Sequence, residues 1–463
     1  MLAIMTFMSN ATKTPDQSTL VAAQDRPNMD IGTDNPPGLH ASNAGKNTFH
    51  QGAFQWDKLP NYESILLLQG PVGPFFHKLA GYWKSRGAQV HKVNFNPGDD
   101  FFYLPTEPLT TQYRHRMEYW EPFIQGYLVS NSIKAVFLFG ECRPIHEALR
   151  SLCKIYQIDL WVLEEGYYRP GYYTLERNGV NAHSSFAKLC MDDILANNDP
   201  SPTSLSAPKI YASYRHMVMW AILYWASNLV RSFSYPNYDH HRELNITQGA
   251  NWTLSLMRYW QYRITERGLK RRLKSKTFLG HQPQEYFLLP LQVHDDSQMT
   301  HHSDYDSVES VIEEVVNSFA QHIAQLRDQG KTCRQVLIIK HHPMNRGHRN
   351  YRHFIRSLTK ALNIEQYVVY VHDIKLPLLL PQIKGCVTVN STLGLQALFH
   401  GVPVINLGRS FYDKPGLTFQ GNLHQFWSNP GEVNQETLAQ FRSHVIAHSQ
   451  IAGCLYDPAS QIN

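Results

Sequence analysis

A chain of 463 residues, 43% hydrophobic and 12% aromatic, has enough apolar content for two folded domains and is not a largely disordered protein. Its formal net charge of +5 suits an anionic ligand or a membrane surface without requiring nucleic acid, and no DNA- or RNA-binding motif accompanies it. Six cysteines (Cys142, Cys153, Cys190, Cys333, Cys386 and Cys454) form no CxxC pair, so reduced cytoplasmic thiols are expected, with no disulfide framework and no metal site.

The N-terminus, MLAIMTFMSNATKTPDQ, lacks a basic n-region and makes a poor signal peptide. Residues 1–58, rich in Asn, Asp, Gly, Pro and Ser, read as a disordered leader. A strand over 64–68 then runs into the turn Gln69-Gly70-Pro71-Val72-Gly73-Pro74, and a helix follows until Gly87 stops it. Further strands are expected over 89–95, 135–139 and 160–163. The strand over 135–139 leads into Gly140-Glu141-Cys142-Arg143-Pro144 and a helix, the strand over 160–163 into Glu164-Glu165-Gly166. Strand, glycine turn and helix in alternation predict a parallel sheet covered by helices. The glycine turn is not a dinucleotide fingerprint, because its prolines remove donors; it reads as a backbone turn lining an acceptor site.

Residues 201–282 break this rhythm. MVMWAILYWASNLV (217–230) is too short to span a bilayer and reads either as a buried helix or as one lying in the membrane interface. The basic run that follows, from Arg258 to Lys276, is either a solvated face or a binder of anionic headgroups. Alternation resumes with strands over 286–291, 336–339, 367–371, 386–389 and 402–407, separated by helices. The expected organisation is therefore a leader (1–58), a Rossmann-like domain (59–200), a helical basic and aromatic linker (201–282), a second Rossmann-like domain (283–430) and a C-terminal helix and tail (431–463). Two such α/β units facing a cleft describe the GT-B architecture.

Ligands in parallel α/β sheets bind where strands end and helices begin. Lys340-His341-His342-Pro343 ends one strand and Asn390-Ser391-Thr392 another, placing an imidazole and two hydroxyls at one crevice. That set suits a phosphate: hydroxyls and backbone N–H groups bind it and a histidine neutralises it as it leaves, which points to a nucleotide-activated donor. Gln292-Val293-His294-Asp295-Asp296 and Glu164-Glu165-Gly166 end strands on opposite sides of the gap. A carboxylate pair across a gap is what glycosyl transfer with retention needs: one attacks the anomeric carbon, the other moves a proton at the acceptor oxygen. Arg143 and Arg169 suit a carboxylated sugar, since a guanidinium matches a carboxylate. The loop 409–418, RSFYDKPGLT, closes the second unit either near the nucleotide or as a cap.

Several segments in order, among them LLLQGPVGPFF, VLEEGYYRPGYYTLERNGVN, LLPLQVHDDSQM, IIKHHP and VTVNSTLGLQALFHGVPVINLG, resemble the bacterial capsule polysaccharide biosynthesis/export family of the KpsS/LipB type. The resemblance spans residues 64–430. It implies a cytoplasmic, membrane-peripheral retaining β-Kdo transferase. Such an enzyme moves Kdo from CMP-Kdo to a phosphatidylglycerol-type lipid at the inner membrane face, alongside other capsule synthesis and export proteins. It further implies Asp296, in a Q-x-x-x-D spacing from Gln292, as nucleophile, Glu165 as base and His342 at the leaving phosphate. Ser391, Thr392 and Lys340 assist, His372 and Asp373 hold cytidine or its ribose, and the acceptor enters past Gly70, Gly73, Arg143 and Arg169. CMP carries one phosphate, so no metal or other cofactor is expected. The rival expectations are a non-catalytic export component and a nucleotide-sugar epimerase.

Overall fold

The computed structural model describes residues 53–169, 171–197, 213–238, 246–275, 285–294, 299, 303–458 and 462. The first unit is built on β1 (Ser64–Leu67), β2 (Gln89–Asn94), β3 (Thr110–Gln112), β4 (Ala135–Phe139), β5 (Asp159–Glu165) and β6 (Tyr172–Arg177). Strands β1 to β5 pair in parallel, whereas β6 runs antiparallel to β5. Helix α1 (Phe75–Ser85) covers one face; α2 (Trp120–Ser130) and α3 (Leu149–Ile155) cover the other. The run Ile65-Leu66-Leu67-Leu68 is therefore buried on both faces, which is why it reads as continuous rather than alternating. Packing begins before residue 59: Trp56 is buried and donates Nε1–H to Tyr173 at 2.7 Å.

Helices α4 (Ser213–Val230), α5 (Ile246–Thr265) and α6 (Arg267–Lys274) form a strap between the units. α4 packs on the first unit: Trp220 lies over Gly73, and Tyr224 over Gly98. α5 packs on the second, where the Tyr262 ring stacks on His372 at 3.8 Å.

The second unit has β7 (Glu285–Pro290), α7 (Val308–Asp328), β8 (Gln335–Lys340), β9 (Val368–Val371), β10 (Ile383–Thr388), α8 (Leu393–Phe399) and β11 (Val404–Asn406). Its five strands are all parallel. Helix α9 (Gln435–Ser449) then crosses back, and β12 (Gln450–Ala452) adds an antiparallel edge to β6. The sheets read β12-β6-β5-β4-β1-β2-β3 and β11-β10-β7-β8-β9. Both contain the doubly-wound order in which the first strand of a unit lies between its second and fourth, so each has a switch-point crevice, at β1/β4 and at β7/β10. Two doubly-wound units with a returning C-terminal helix are the expected GT-B arrangement. The units share a core in which Tyr167 and Phe186 meet Leu398, Val404, Phe411 and Phe441.

Candidate functional site

In the second sheet β10, β7 and β8 are adjacent, so their C-terminal ends lie side by side, roughly 5 Å apart per strand. This brings together three fragments far apart in sequence. Gln292 after β7 donates Nε2–H to Asn390 Oδ1 after β10, at 3.0 Å. Asn345 Nδ2 donates to the Gln292 carbonyl at 3.3 Å, and Asn345 Oδ1 contacts His294 Nδ1 at 2.8 Å. Gln292 Oε1 is buried with no partner among the described residues.

His342 is the N-cap of a short 3₁₀ helix, Pro343–Gly347, with proline at its first position, where a missing N–H costs nothing. His342 Nδ1 accepts the Met344 backbone N–H at 3.2 Å. A neutral ring must then carry its proton on Nε2. Burial, reinforced by Lys340 and Arg346, pushes His342 down to about 4, so at neutral pH it is an uncharged Nε2–H donor. Burial also lowers Lys340 to about 8. His341, the neighbour in the sequence, is buried instead, with Nδ1 2.6 Å from the Tyr370 hydroxyl. At β10 the Ser391 hydroxyl accepts the Leu393 N–H at 3.2 Å, and Thr392 is the N-cap residue of α8.

In the first sheet β5, β4 and β1 are adjacent, and their ends carry Glu164-Glu165, Gly140 with Arg143, and Gln69. Arg143 Nη1 donates to Gln69 Oε1 at 2.8 Å across the switch point. Gly140 has φ +73°, and a Cβ there would lie 3.5 Å from Arg143 Nε and 3.8 Å from Glu164 Oε2. Glu165 is ion-paired with Arg169. Burial, then the neighbouring Glu165 charge, lifts Glu164 to about 7 against the pull of Arg143 and Arg169. The two adjacent carboxyls thus differ: one is tied to an arginine, the other holds a proton near neutrality.

One chain of contacts links the two halves. Two residues beyond Glu165, the Tyr167 ring stacks on Phe411 at 4.1 Å. The next residue, Tyr412, donates its hydroxyl to the Ser391 carbonyl at 2.5 Å. The carboxylate loop of one unit is thereby braced against the hydroxyl loop of the other.

Other expected site residues lie differently. Asp296 falls outside the described residues. Gly70 and Gly73 are packing glycines: a Cβ on Gly70 would meet the Phe76 ring at 2.7 Å, and one on Gly73 (φ +110°) the Trp220 ring at 2.3 Å. The expected acceptor path past this turn meets those rings, and Gly70 and Gly73 line a small cleft there together with His77, Lys92 and Tyr103. His372 is buried, its Nδ1 2.9 Å from Glu266 of the strap. Asp373 pairs with Lys270 at 3.4 Å and Arg346 at 3.5 Å. These two residues anchor the strap on β9 rather than standing open.

Sequence reasoning missed Asn345 and Arg346, three and four residues beyond His342 in the run HHPMNR. Arg346 is buried, its Nε unpartnered among the described residues and its guanidinium over the Tyr259 ring at 5.2 Å. A polar residue one helical turn past an N-capping histidine was the available signal.

The family model for the capsule polysaccharide biosynthesis protein matches residues 134–456. The chain is 36% identical over 411 residues to the capsule polysaccharide modification protein LipB of Neisseria meningitidis serogroup B, covering 86% of this chain and 93% of the relative. It is 33% identical to the capsule polysaccharide export protein KpsS of Escherichia coli, covering 85% and 97%. Among solved structures, the beta Kdo 2,7 transferase KpsC of Thermosulfurimonas dismutans aligns at 11% identity over 81% of this chain and 98% of its own, with a TM-score of 0.34, a loose likeness. The chain belongs to the capsule polysaccharide biosynthesis protein family.

Proposed function

We propose that the protein is a retaining β-Kdo glycosyltransferase that moves Kdo from CMP-Kdo to a phosphatidylglycerol-type lipid and so starts the capsule linker. Asp296 attacks C2 of Kdo as the CMP phosphate departs, and the His342 Nε2–H donates a hydrogen bond to the leaving oxygen. Ser391, Thr392 and Lys340 balance the remaining phosphate charge. Glu165 then takes the proton of the acceptor hydroxyl, whose oxygen displaces Asp296 from C2. Two inversions give net retention. Work occurs at the cytoplasmic face of the membrane.

The observation that carries this reading is the brace Tyr167–Phe411–Tyr412–Ser391, which ties the loop bearing Glu165 to the loop bearing the hydroxyls. A neutral histidine donor is also better suited to an outgoing phosphate than to abstraction of a sugar proton. The test is incubation of purified protein with CMP-Kdo and a fluorescent phosphatidylglycerol analogue, with the product read by mass. Asp296→Ala should lower transfer at least about 10²-fold while leaving the fold intact. Glu165→Gln should accumulate a covalent sugar adduct on the protein. No turnover of CMP-Kdo by the folded wild-type protein would return the assignment to a non-catalytic role in export.

A further inference from the structure

The strap has a second, outward side that the proposed chemistry does not use. On α4 the residues turned inward are Val218, Trp220 and Tyr224. At the helical spacing opposite them Met219, Leu223 and Val230 are exposed, and Leu229 (73%) and Phe233 (79%) extend the apolar surface at the helix end. α5 repeats the pattern. Ser255, Tyr259, Tyr262 and Glu266 face the second unit, while Met257 (66%), Trp260 (54%) and Ile264 (59%) stand in solvent at spacings of three and four. That exposed stripe continues at the same spacing into Arg267 and Arg271, both exposed, and the Arg263 guanidinium sits 5.7 Å from the Trp260 ring.

Charge decides what covers this surface. Across 213–238 and 246–275 there are nine lysines and arginines and a single carboxylate, Glu266. That carboxylate faces inward, held below the ordinary carboxylate range: burial alone would raise it, but bonds from His372 and from the backbone N–H groups of His372 and Asp373 outweigh this. The outer side therefore presents apolar side chains flanked by arginines, with no acidic residue of these two stretches beside them. No helix among the described residues is long and apolar enough to cross a membrane.

We infer that the outer faces of α4 and α5–α6 dock on an anionic lipid surface, with Leu229, Phe233, Trp260 and Ile264 entering the acyl boundary and Arg231, Arg263, Arg267 and Arg271 meeting headgroups. This rests on the proposed function only in that a lipid acceptor would be presented there. The inner faces of the same helices hold the Gln69 turn of the first unit and the His342 loop of the second. Tyr224 and Tyr238 reach Gln69 at 3.3 and 3.1 Å, and Arg258 donates to the Arg346 carbonyl at 2.6 Å. Docking thus sets both switch-point crevices against the bilayer.

The experiment is co-sedimentation of the full chain with vesicles of phosphatidylcholine, alone or mixed with phosphatidylserine, an anionic lipid that is not the proposed acceptor. Binding is expected only with phosphatidylserine present and should weaken as salt is added. Arg267→Gln with Arg271→Gln should reduce it about thirtyfold, and Trp260→Glu or Phe233→Glu at least about tenfold, each with unchanged circular dichroism. Absence of binding to anionic vesicles overturns the inference, as does binding indifferent to these substitutions. So does a wild-type dimer that Trp260→Glu dissociates, since the face would then belong to a second copy. Transfer to a short-chain soluble acceptor is read in parallel: its persistence without vesicle binding sinks the docking surface alone, and its absence with docking intact sinks the proposed activity alone.

Discussion

Glu164→Gln isolates the electrostatic character of the carboxyl pair. Glu164 is raised from its ordinary 4.5 to about 7, chiefly by burial and then by the charge on Glu165. A carboxyl raised on folding binds its proton more tightly in the native than in the unfolded state. Its contribution is fully present below pH 4.5, and stability is lost as pH rises through 7. At about 1.4 kcal/mol per pH unit the whole displacement corresponds to about 3 kcal/mol. Glu164 is partly exposed and faces Arg143 and Arg169, so screening should reduce this to about 1–2 kcal/mol. Glutamine keeps the shape and cannot ionise. The variant should match the wild type at pH 4, gain on it between pH 5 and 7, and hold a constant advantage at pH 8. Denaturant unfolding across that range measures the difference directly. A pH-independent offset, or a wild type more stable at pH 8, would refute the account of Glu164 as the carboxyl that charges at a cost.

His342→Gln, which keeps an N–H donor, should retain far more transfer activity than His342→Ala, with a gap of about 10²-fold in kcat. Because His342 is lowered to about 4, no histidine limb should appear in the wild-type rate profile between pH 6 and 8. A Cβ on Gly347 would lie 2.0 Å from the Asn251 carbonyl oxygen, so Gly347→Ala should push α5 off the donor loop and cost about 1–3 kcal/mol in thermal or denaturant unfolding. A double-mutant cycle on Tyr167→Ala and Phe411→Ala should show a coupling of about 1 kcal/mol in stability, the signature of a stacked pair bridging the units.

Strands buried on both faces were the most legible part of the chain, because β1, β7 and β8 carry short apolar runs ended by glycine or polar turns, whereas β10 begins at Ile383-Lys384-Gly385, before the apolar run expected over 386–389. β6 was not, and Glu176 shows why. Its carboxyl group points into the interior, bonded by the Tyr167 hydroxyl at 2.7 Å and by Ser184, so the strand lacks the apolar alternation that identifies a half-buried strand. β12 is three residues long and finds its partner in the first unit, 276 residues earlier in the chain for Gln450 and Thr174. The glycine turn after β1 does line a small cleft, but local sequence does not contain the indole that lies over it. Trp220 lies about 150 residues downstream, and only tertiary packing brings it onto Gly73. The same holds for His372 and Asp373, whose partners Glu266 and Lys270 come from the strap. In contrast, the position of KHHP and NST at strand ends was legible because each follows its own buried strand, β8 and β10.

The strap changes how the two crevices work together. Trp220 and Tyr224 close one flank of the first, over Gly73 and Gly98; Asn251, Tyr259 and Tyr262 close one flank of the second, over Gly347, Arg346 and His372. Of the first unit's candidate acceptor groups, Gly73 lies under Trp220 of the strap and Gly70 beside Phe76 of α1, while Arg143 stays beside Glu164 and Arg169, half its side chain in solvent, stays on Glu165. On the proposed reading, the acceptor headgroup must approach the base from the arginine side and displace or share the Arg169–Glu165 pair. Arg169→Ala should then raise the acceptor KM, whereas Trp220→Ala should change stability and leave the acceptor KM alone. The opposite pattern would place the acceptor back over the glycine turn.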